Sequence, residues 1–242
     1  MSLWLPLGLA WFAGCAEFEQ VHQVELPADG VWSMFADDDR GDIAYTGTAP
    51  DETFTITVTS WGRARSKARA ERRAGNNTFG AAVSGELLDL WGRSPLSRSG
   101  VDLDVVGPSV LDVEAYTADG TVALYGVDGF HYVTGSRVVG EKVYGDIDAY
   151  AEPGGIDVEV FPYTGSVVRL EAVGGDLFVS LPWGLPYDLQ LAGDPAYGYE
   201  LDDLGFDELA LGPGYAFAST ADGSVRVELY ATGGTIYVYQ AY

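Results

Sequence analysis

Apolar and polar residues alternate along most of the chain after residue 23. The alternation is clearest in residues 53–59, 101–105, 156–160 and 225–229, where aliphatic or aromatic residues alternate with Thr, Asp, Glu or Arg. Successive side chains of a β-strand point to opposite faces, so this pattern is typical of strands with one buried face. The sequence therefore predicts an all-β protein built from short strands.

Glycines punctuate these predicted strands. Gly135, Gly145, Gly155, Gly165 and Gly175 follow one another at intervals of ten residues. Glycine is favoured at a tight corner because the bend needs a positive φ or leaves no room for a Cβ atom. A phosphate-binding glycine loop would lead into a helix, and no helical pattern follows these residues. The glycines are therefore predicted to be structural corners.

Two arrangements of strands fit this spacing. One is a β-helix or β-solenoid, in which short strands stack rung on rung. The other is an antiparallel sandwich or meander, which is favoured by four Asp-Gly pairs suited to hairpins. These pairs are Asp29–Gly30, Asp119–Gly120, Asp128–Gly129 and Asp222–Gly223.

Four stretches of the chain carry a resemblance: "GVDLDVVGPSVLDVEAY", "GDIDAY", "GGDLFVSLP" and "GGTIYVYQ". They resemble the repeats of a bacterial β-strand-repeat family known as "putative adhesin", and the likeness extends over about residues 21–242. The resemblance implies a repetitive β-helix or β-solenoid-like domain, with the antiparallel sandwich or meander as the alternative. It carries no catalytic residues that could be assigned here.

One basic, alanine-rich segment interrupts the strand pattern. Residues 63–73 hold six of the 13 basic residues, and Ala and Arg favour helix. We expect one short helix near residues 64–74, with Arg65, Arg69 and Arg72 or Arg73 on one face. Such a face could contact anions such as lipid phosphates or acidic polysaccharide. The favoured interpretation is a solvated helix lying against the acidic body of the protein.

The N-terminus contains an apolar run over residues 3–13, too short to span a membrane as a helix. Ala13 and Gly14 precede Cys15, the only cysteine. This arrangement resembles the lipobox of bacterial lipoproteins. The resemblance implies a signal peptide over residues 1–14, acylation of Cys15 by palmitate-type chains, and anchoring in a membrane. A plain secretory signal with an incidental cysteine is the alternative.

The predicted organisation is then a lipidated Cys15 with a short linker, residues 15–23, and a single β-repeat domain, residues 24–242. Ala16 resembles the residue that permits export of lipoproteins to the outer membrane of two-membraned bacteria. The formal net charge of −23 argues against nucleic acid as a partner, because phosphate backbones would be repelled.

Sequence motifs for catalysis are sparse. His22 and His131 have no neighbours at metal-site spacing, and both are expected at the surface or at a sheet edge. The acidic cluster Asp37, Asp38, Asp39 and Asp42 is the best calcium candidate, although an acidic turn explains it better. No motif for another cofactor is present.

Aromatic residues concentrate where the glycine rhythm is lost, in residues 183–206. Trp183, Tyr187, Tyr197 and Tyr199 are the candidate ligand contacts, either as a stacking platform for sugars or as a cap over the end of the core.

The expected function is that of a non-enzymatic cell-envelope lipoprotein with a structural or adhesion role. Its expected partners are the membrane and either a glycan or a cell-surface protein. The alternative is a polysaccharide lyase or hydrolase on a β-helix. Such an enzyme would need carboxylates beside a basic residue, for which Arg137, Lys142 and Arg169 are the candidates.

Overall fold

The computed structural model describes residues 16–48, 52–220 and 223–241. Strands occupy most of these residues. In the first half of the chain they are β1 (Ala16–Pro27), β2 (Ser33–Asp38), β3 (Ile43–Thr48), β4 (Thr53–Ala64), β5 (Thr78–Ser84), β6 (Leu87–Arg93), β7 (Ser99–Pro108), β8 (Asp112–Thr117) and β9 (Thr121–Tyr125). A single helix among the described residues, α1 (Lys67–Ala74), lies between β4 and β5.

The second half continues with strands alone. They are β10 (Asp128–Gly135), β11 (Arg137–Ala151), β12 (Ile156–Phe161), β13 (Val167–Val173), β14 (Leu177–Pro182), β15 (Tyr187–Gly193), β16 (Tyr199–Leu201), β17 (Glu208–Gly212), β18 (Tyr215–Ser219), β19 (Val225–Thr232) and β20 (Ile236–Ala241). The prediction of an all-β protein with one short helix is confirmed. Within the described ranges, no helix has the length and apolarity needed to cross a membrane.

The strands pair in two runs, here called ladder one and ladder two. Ladder one has the order β1-β4-β7-β3-β9-β11-β12-β14-β20-β16. Ladder two has the order β5-β6-β2-β8-β10-β11-β13-β19-β15-β18-β17. Strand β11 belongs to both, because residues 137–144 pair in ladder one and residues 144–151 pair in ladder two. The result is one mixed, nearly closed sheet.

Most pairings inside the ladders are parallel, and antiparallel pairs occur near the ladder ends. The described Asp-Gly pairs do not close hairpins. Asp119–Gly120, for example, connects β8 of ladder two to β9 of ladder one. The tight hairpin turns instead use Gly85 between β5 and β6 and Gly214 between β17 and β18, each with a positive φ. The hairpin expectation for the Asp-Gly pairs was therefore wrong where the structure describes them.

Inward side chains stack from strand to strand into apolar rows. One row of ladder two contains Met34, Val113, His131, Ile147, Val168, Val227 and Leu189, which the registers place side by side. All seven are buried. A matching row of ladder one contains Val58, Leu103, Ile43, Val122, Val138, Ile156, Leu177 and Ile236. Burial of these rows supplies the main driving force for folding.

His131 is a correction to the sequence interpretation, which placed it at the surface. Its side chain is fully buried in an aliphatic row. The Nε2 atom lies 3.3 Å from the carbonyl oxygen of Tyr144, and Nδ1 has no hydrogen-bond partner among the described residues. Burial lowers the pKa of His131 to about 4, because the charged ring loses its hydration.

The glycine corners have two distinct physical causes. Gly145 and Gly165 have φ values of +92° and +93°, in the left-handed region. Gly155 and Gly175 lack a positive φ and are required by close approach. A Cβ atom at Gly155 would lie 2.3 Å from the carbonyl oxygen of Asp176. Backbone segments therefore stack closely at Gly145, Gly155 and Gly175, whereas Gly165 is required only by its positive φ.

The basic segment forms α1 and begins later than predicted, because β4 continues to Ala64. Ala70 and Ala74 are buried, and the Ser60 hydroxyl donates to the Ala74 carbonyl at 2.7 Å, which fixes the helix on β4. Lys67 pairs with Glu71 inside the helix.

Residues 16–23, predicted as a linker, lie in β1, which pairs with β4 along its whole length. Cys15 and the predicted signal peptide lie outside the described residues.

Candidate functional site

The acidic turn between β2 and β3 does not gather its carboxylates. Asp37 binds Arg93 through Oδ2 at 2.5 Å, and Asp39 accepts from the backbone N–H of Ser94 and lies 3.7 Å from Arg93. Asp42 accepts from the backbone N–H of Thr121 at 2.7 Å. Within the described part of the chain, no group of three or more His, Cys, Asp or Glu side chains could hold a metal ion. Asp37 and Asp39 thus share the Arg93 guanidinium, whereas Asp42 binds a backbone N–H group elsewhere.

Asp38 differs from its neighbours because it is buried. Its Oδ1 accepts from the backbone N–H of Arg40 at 3.0 Å, and its Oδ2 is buried without a hydrogen-bond partner in the described chain. Burial raises the pKa of Asp38 to about 7, and the hydrogen bond from Arg40 opposes this only in part. Asp38 therefore lies on the inward face of β2, as Met34 and Ala36 do, and its carboxyl group is not displayed to a ligand.

The aromatic segment 183–206 splits between surface and core. Trp183 is 64% exposed and Tyr197 is 54% exposed. Tyr199 is half-buried and packs against the core. Tyr187 is fully buried, donates its hydroxyl to the Pro182 carbonyl at 2.6 Å, and meets Phe206 edge-on. Trp183 and Tyr197 are the two rings of this set that a ligand can reach.

A larger aromatic surface lies on the outward side of ladder two. We call it the aromatic face and define it by Phe35, Trp91, Tyr116 and Tyr132, which project from β2, β6, β8 and β10 between buried neighbours. The ring centroids of Phe35 and Tyr116 are 5.9 Å apart, and those of Tyr116 and Tyr132 are 5.6 Å apart. The strands thus hold a run of tilted rings on one sheet surface.

Carboxylates alternate with these rings across the ladder. Phe35 lies between Asp89 and Glu114 in the strand register, and Tyr132 lies between Glu114 and Asp148. The alternation follows from the parallel registers, which place outward positions of neighbouring strands side by side. The face therefore offers flat apolar area next to hydrogen-bond acceptors.

One hydrogen bond orders the centre of this face. The Tyr116 hydroxyl donates to Glu114 Oε1 at 2.7 Å. Desolvation together with the Glu114 carboxylate raises the pKa of Tyr116 above its usual range, so the ring remains a neutral donor. Sequence analysis missed these residues because they are distributed over four strands. The available signal was a recurrence of aromatic residues at outward strand positions.

The basic residues considered for an enzyme do not line a cleft. Arg169 binds Glu228 at 2.9 Å and lies 3.5 Å from Asp148, but all three project from the outward side of ladder two. The hydrogen bond from Arg169 lowers the pKa of Glu228, which keeps that carboxyl ionised and unsuited to donate a proton. Lys142 and Arg137 have no carboxylate within ion-pair distance in the described chain.

Comparison with known proteins shows likeness of fold. No protein-family model matches the chain, and no curated protein matches it in sequence. Among solved structures, a "putative cell adhesion protein" from Clostridium sporogenes matches with a TM-score of 0.51 and 11% identity, over 93% of this chain and 100% of that one.

Two further solved structures match with lower TM-scores. A "putative lipid binding protein" from Parabacteroides distasonis has a TM-score of 0.35 and 11% identity, over 91% of this chain and 96% of that one. A "putative adhesin" from Bacteroides fragilis has a TM-score of 0.30 and 10% identity, over 90% and 97%. The chain is therefore similar in fold to the Clostridium sporogenes protein.

Proposed function

We propose that this chain is a non-enzymatic cell-envelope lipoprotein whose β domain binds a neutral or cationic glycan on the aromatic face. The observation that carries the proposal is the alternation of aromatic rings and carboxylates on one sheet surface. Aromatic rings provide flat area for the apolar faces of sugar rings, and they cost little side-chain entropy to order. Carboxylates accept hydrogen bonds from sugar hydroxyls or amines and disfavour anionic ligands.

The fold interpretation within this proposal is a β-helix or β-solenoid-like domain. Its support is that consecutive strands such as β8 and β9, or β13 and β14, lie in different ladders, and that each of these four pairs in parallel with a strand later in the chain. The antiparallel pairs at the ladder ends would also fit a sandwich, whereas the parallel pairs in the interior favour a β-helix or β-solenoid. The shared fold with a protein described as a cell adhesion protein is in keeping with an adhesion role.

Glycan binding is tested with a pair of ring deletions. The variant Tyr116→Ala/Tyr132→Ala is expected to bind immobilised chitosan or neutral oligosaccharide roughly tenfold more weakly than the parent, because two ring contacts are lost. Retention on glycan columns or a glycan array measures the effect, and thermal unfolding checks that the domain remains folded.

The matched control is Phe178→Ala/Tyr237→Ala, which removes an outward ring pair of ladder one whose centroids are 4.5 Å apart. A third variant, Trp183→Ala/Tyr197→Ala, tests the aromatic segment in the same assay. If the control or the segment variant loses retention while Tyr116→Ala/Tyr132→Ala keeps it, the ligand does not bind the aromatic face.

The lipid anchor is tested separately at Cys15. The variant Cys15→Ser is expected to lack the mass of the acyl chains and to leave the membrane fraction or accumulate unprocessed, since no other cysteine exists to be acylated. Mass spectrometry and fractionation of bacterial membranes measure the outcome. An unchanged mass and unchanged partitioning would show that the protein is not a lipoprotein.

A further inference from the structure

Four arginines surround a shallow depression at the end of ladder one. Arg65, Arg69, Arg73 and Arg98, with Ala64, line a volume of about 180 Å³. Two come from α1, one from the segment before it, and one from the segment before β7. We call this surface the arginine depression. It brings guanidinium groups together from parts of the chain that are about 30 residues apart in sequence.

These arginines have no carboxylate within ion-pair distance in the described residues. Two cations of the same segment do have one, since Arg63 pairs with Glu17 at 2.7 Å and Lys67 pairs with Glu71 at 3.9 Å. The chain has 36 acidic and 13 basic side chains, so acidic partners are abundant. Several cations placed together without an acidic partner repel one another, and an anion between them would relieve this repulsion. The arrangement therefore indicates a ligand with several anionic oxygens.

Backbone contacts hold two of the guanidinium-bearing residues in place. Arg98 has a φ of +62°, a conformation that residues other than glycine rarely adopt, and its carbonyl accepts from the Arg63 backbone N–H at 2.8 Å. The Arg73 guanidinium donates to the Arg63 carbonyl. Such strain persists where the surroundings fix it, and it is frequent at ligand sites. The planar N–H groups of arginine suit phosphate oxygens in particular.

The position of the depression suggests where the phosphate comes from. Ala64, which lines the depression, is the β-partner of Ala16, the first described residue of β1. Ala16, which follows Cys15 in the sequence, therefore lies beside the arginine depression. We propose that the arginine depression binds the phosphate groups of anionic lipid headgroups at the membrane surface. The proposal rests on the proposed anchor at Cys15 and is independent of glycan binding.

The test compares the full chain on two kinds of vesicle, phosphatidylcholine alone and phosphatidylcholine mixed with phosphatidylglycerol. Acyl chains insert into both, and both headgroups contain phosphate, so the ratio of binding to the two vesicles isolates the contribution of the net negative headgroup charge. The variant Arg65→Gln/Arg69→Gln is expected to lower this ratio roughly tenfold at low ionic strength, since each basic side chain near an anionic membrane favours binding.

The matched control is Arg137→Gln/Lys142→Gln, which removes two exposed cations that also lack carboxylate partners in the described chain. Its ratio is expected to equal that of the parent. A second variant, Arg98→Gln, keeps α1 intact and is expected to lower the ratio as well. Thermal unfolding of each variant verifies the fold.

Three results would overturn the proposal. One is a ratio that does not change in Arg65→Gln/Arg69→Gln, and another is an equal fall in the control pair, which would be a general charge effect. The third is stabilisation by inorganic phosphate without any preference for phosphatidylglycerol, which would indicate a site for free phosphate. Failure of the Cys15 anchor is distinguishable, because it lowers binding to both vesicles and leaves their ratio unchanged.

Discussion

Alanine at Gly145 is expected to destabilise the domain by about 3–5 kcal/mol, whereas alanine at Gly165 is expected to cost about 1–2 kcal/mol. The two glycines have almost the same φ, +92° and +93°, so the conformational cost of a side chain is equal. The two positions differ in the space available for a Cβ atom. A Cβ atom at Gly145 would lie 2.4 Å from the carbonyl oxygen of Gly129, whereas nothing lies within 4 Å at Gly165.

Chemical denaturation of the two variants and the parent measures this difference. The comparison isolates the close approach of stacked backbones from the effect of positive φ, because Gly165→Ala carries only the latter. Equal losses of stability in both variants would mean that β10 and β11 do not approach each other at this corner as the structure has them.

The second large effect is the acid sensitivity that comes from His131. Its folded-state pKa of about 4 is below the ordinary value of 6.5, so the folded protein resists the proton that the unfolded chain accepts. The contribution of His131 to the free energy of unfolding is complete above about pH 6.5. It decreases as the pH falls, by about 3 kcal/mol at pH 4. The variant His131→Leu, which suits the aliphatic row, is expected to lack this loss.

Denaturation of parent and variant between about pH 7 and about pH 4 measures the two slopes. Asp38 acts in the opposite direction, because its pKa of about 7 makes the folded state take up a proton more readily than the unfolded chain. This contribution is the same in both proteins and cancels in the difference. Parallel pH profiles would show that His131 is not buried as a neutral ring.

Local sequence patterns were sufficient to predict the strands and the helix. Alternation of apolar residues and glycine spacing are properties of consecutive residues, and the same holds for the alanine and arginine content of α1. Strand β1 does not show the usual alternation of buried apolar and exposed polar residues. Val21 is 61% exposed, whereas the more polar His22 is half-buried against Phe79. That inversion made a paired strand look like a polar linker.

Pairing partners could not be read from the sequence. Met34 lies beside Val113, and Phe35 approaches Tyr116, although the paired strands β2 and β8 are far apart in the sequence. The aromatic face was missed for this reason. The aromatic residues of segment 183–206 are close together in the sequence and could be recognised there. Their exposure nevertheless differs, since Trp183 is exposed and Tyr187 is buried in the core. Solvent exposure depends on register, which composition does not encode.

Strand β11 has a consequence for how the domain opens. Its 15 residues pair with β9 and β12 in one ladder and with β10 and β13 in the other. Detaching it would break both ladders at once, so we expect its amides to exchange with solvent only through global unfolding. By contrast, β17 pairs with β18 alone among the described strands, and its residues are mostly exposed. Fraying can therefore begin at β17 while the rings around Tyr116 remain in position.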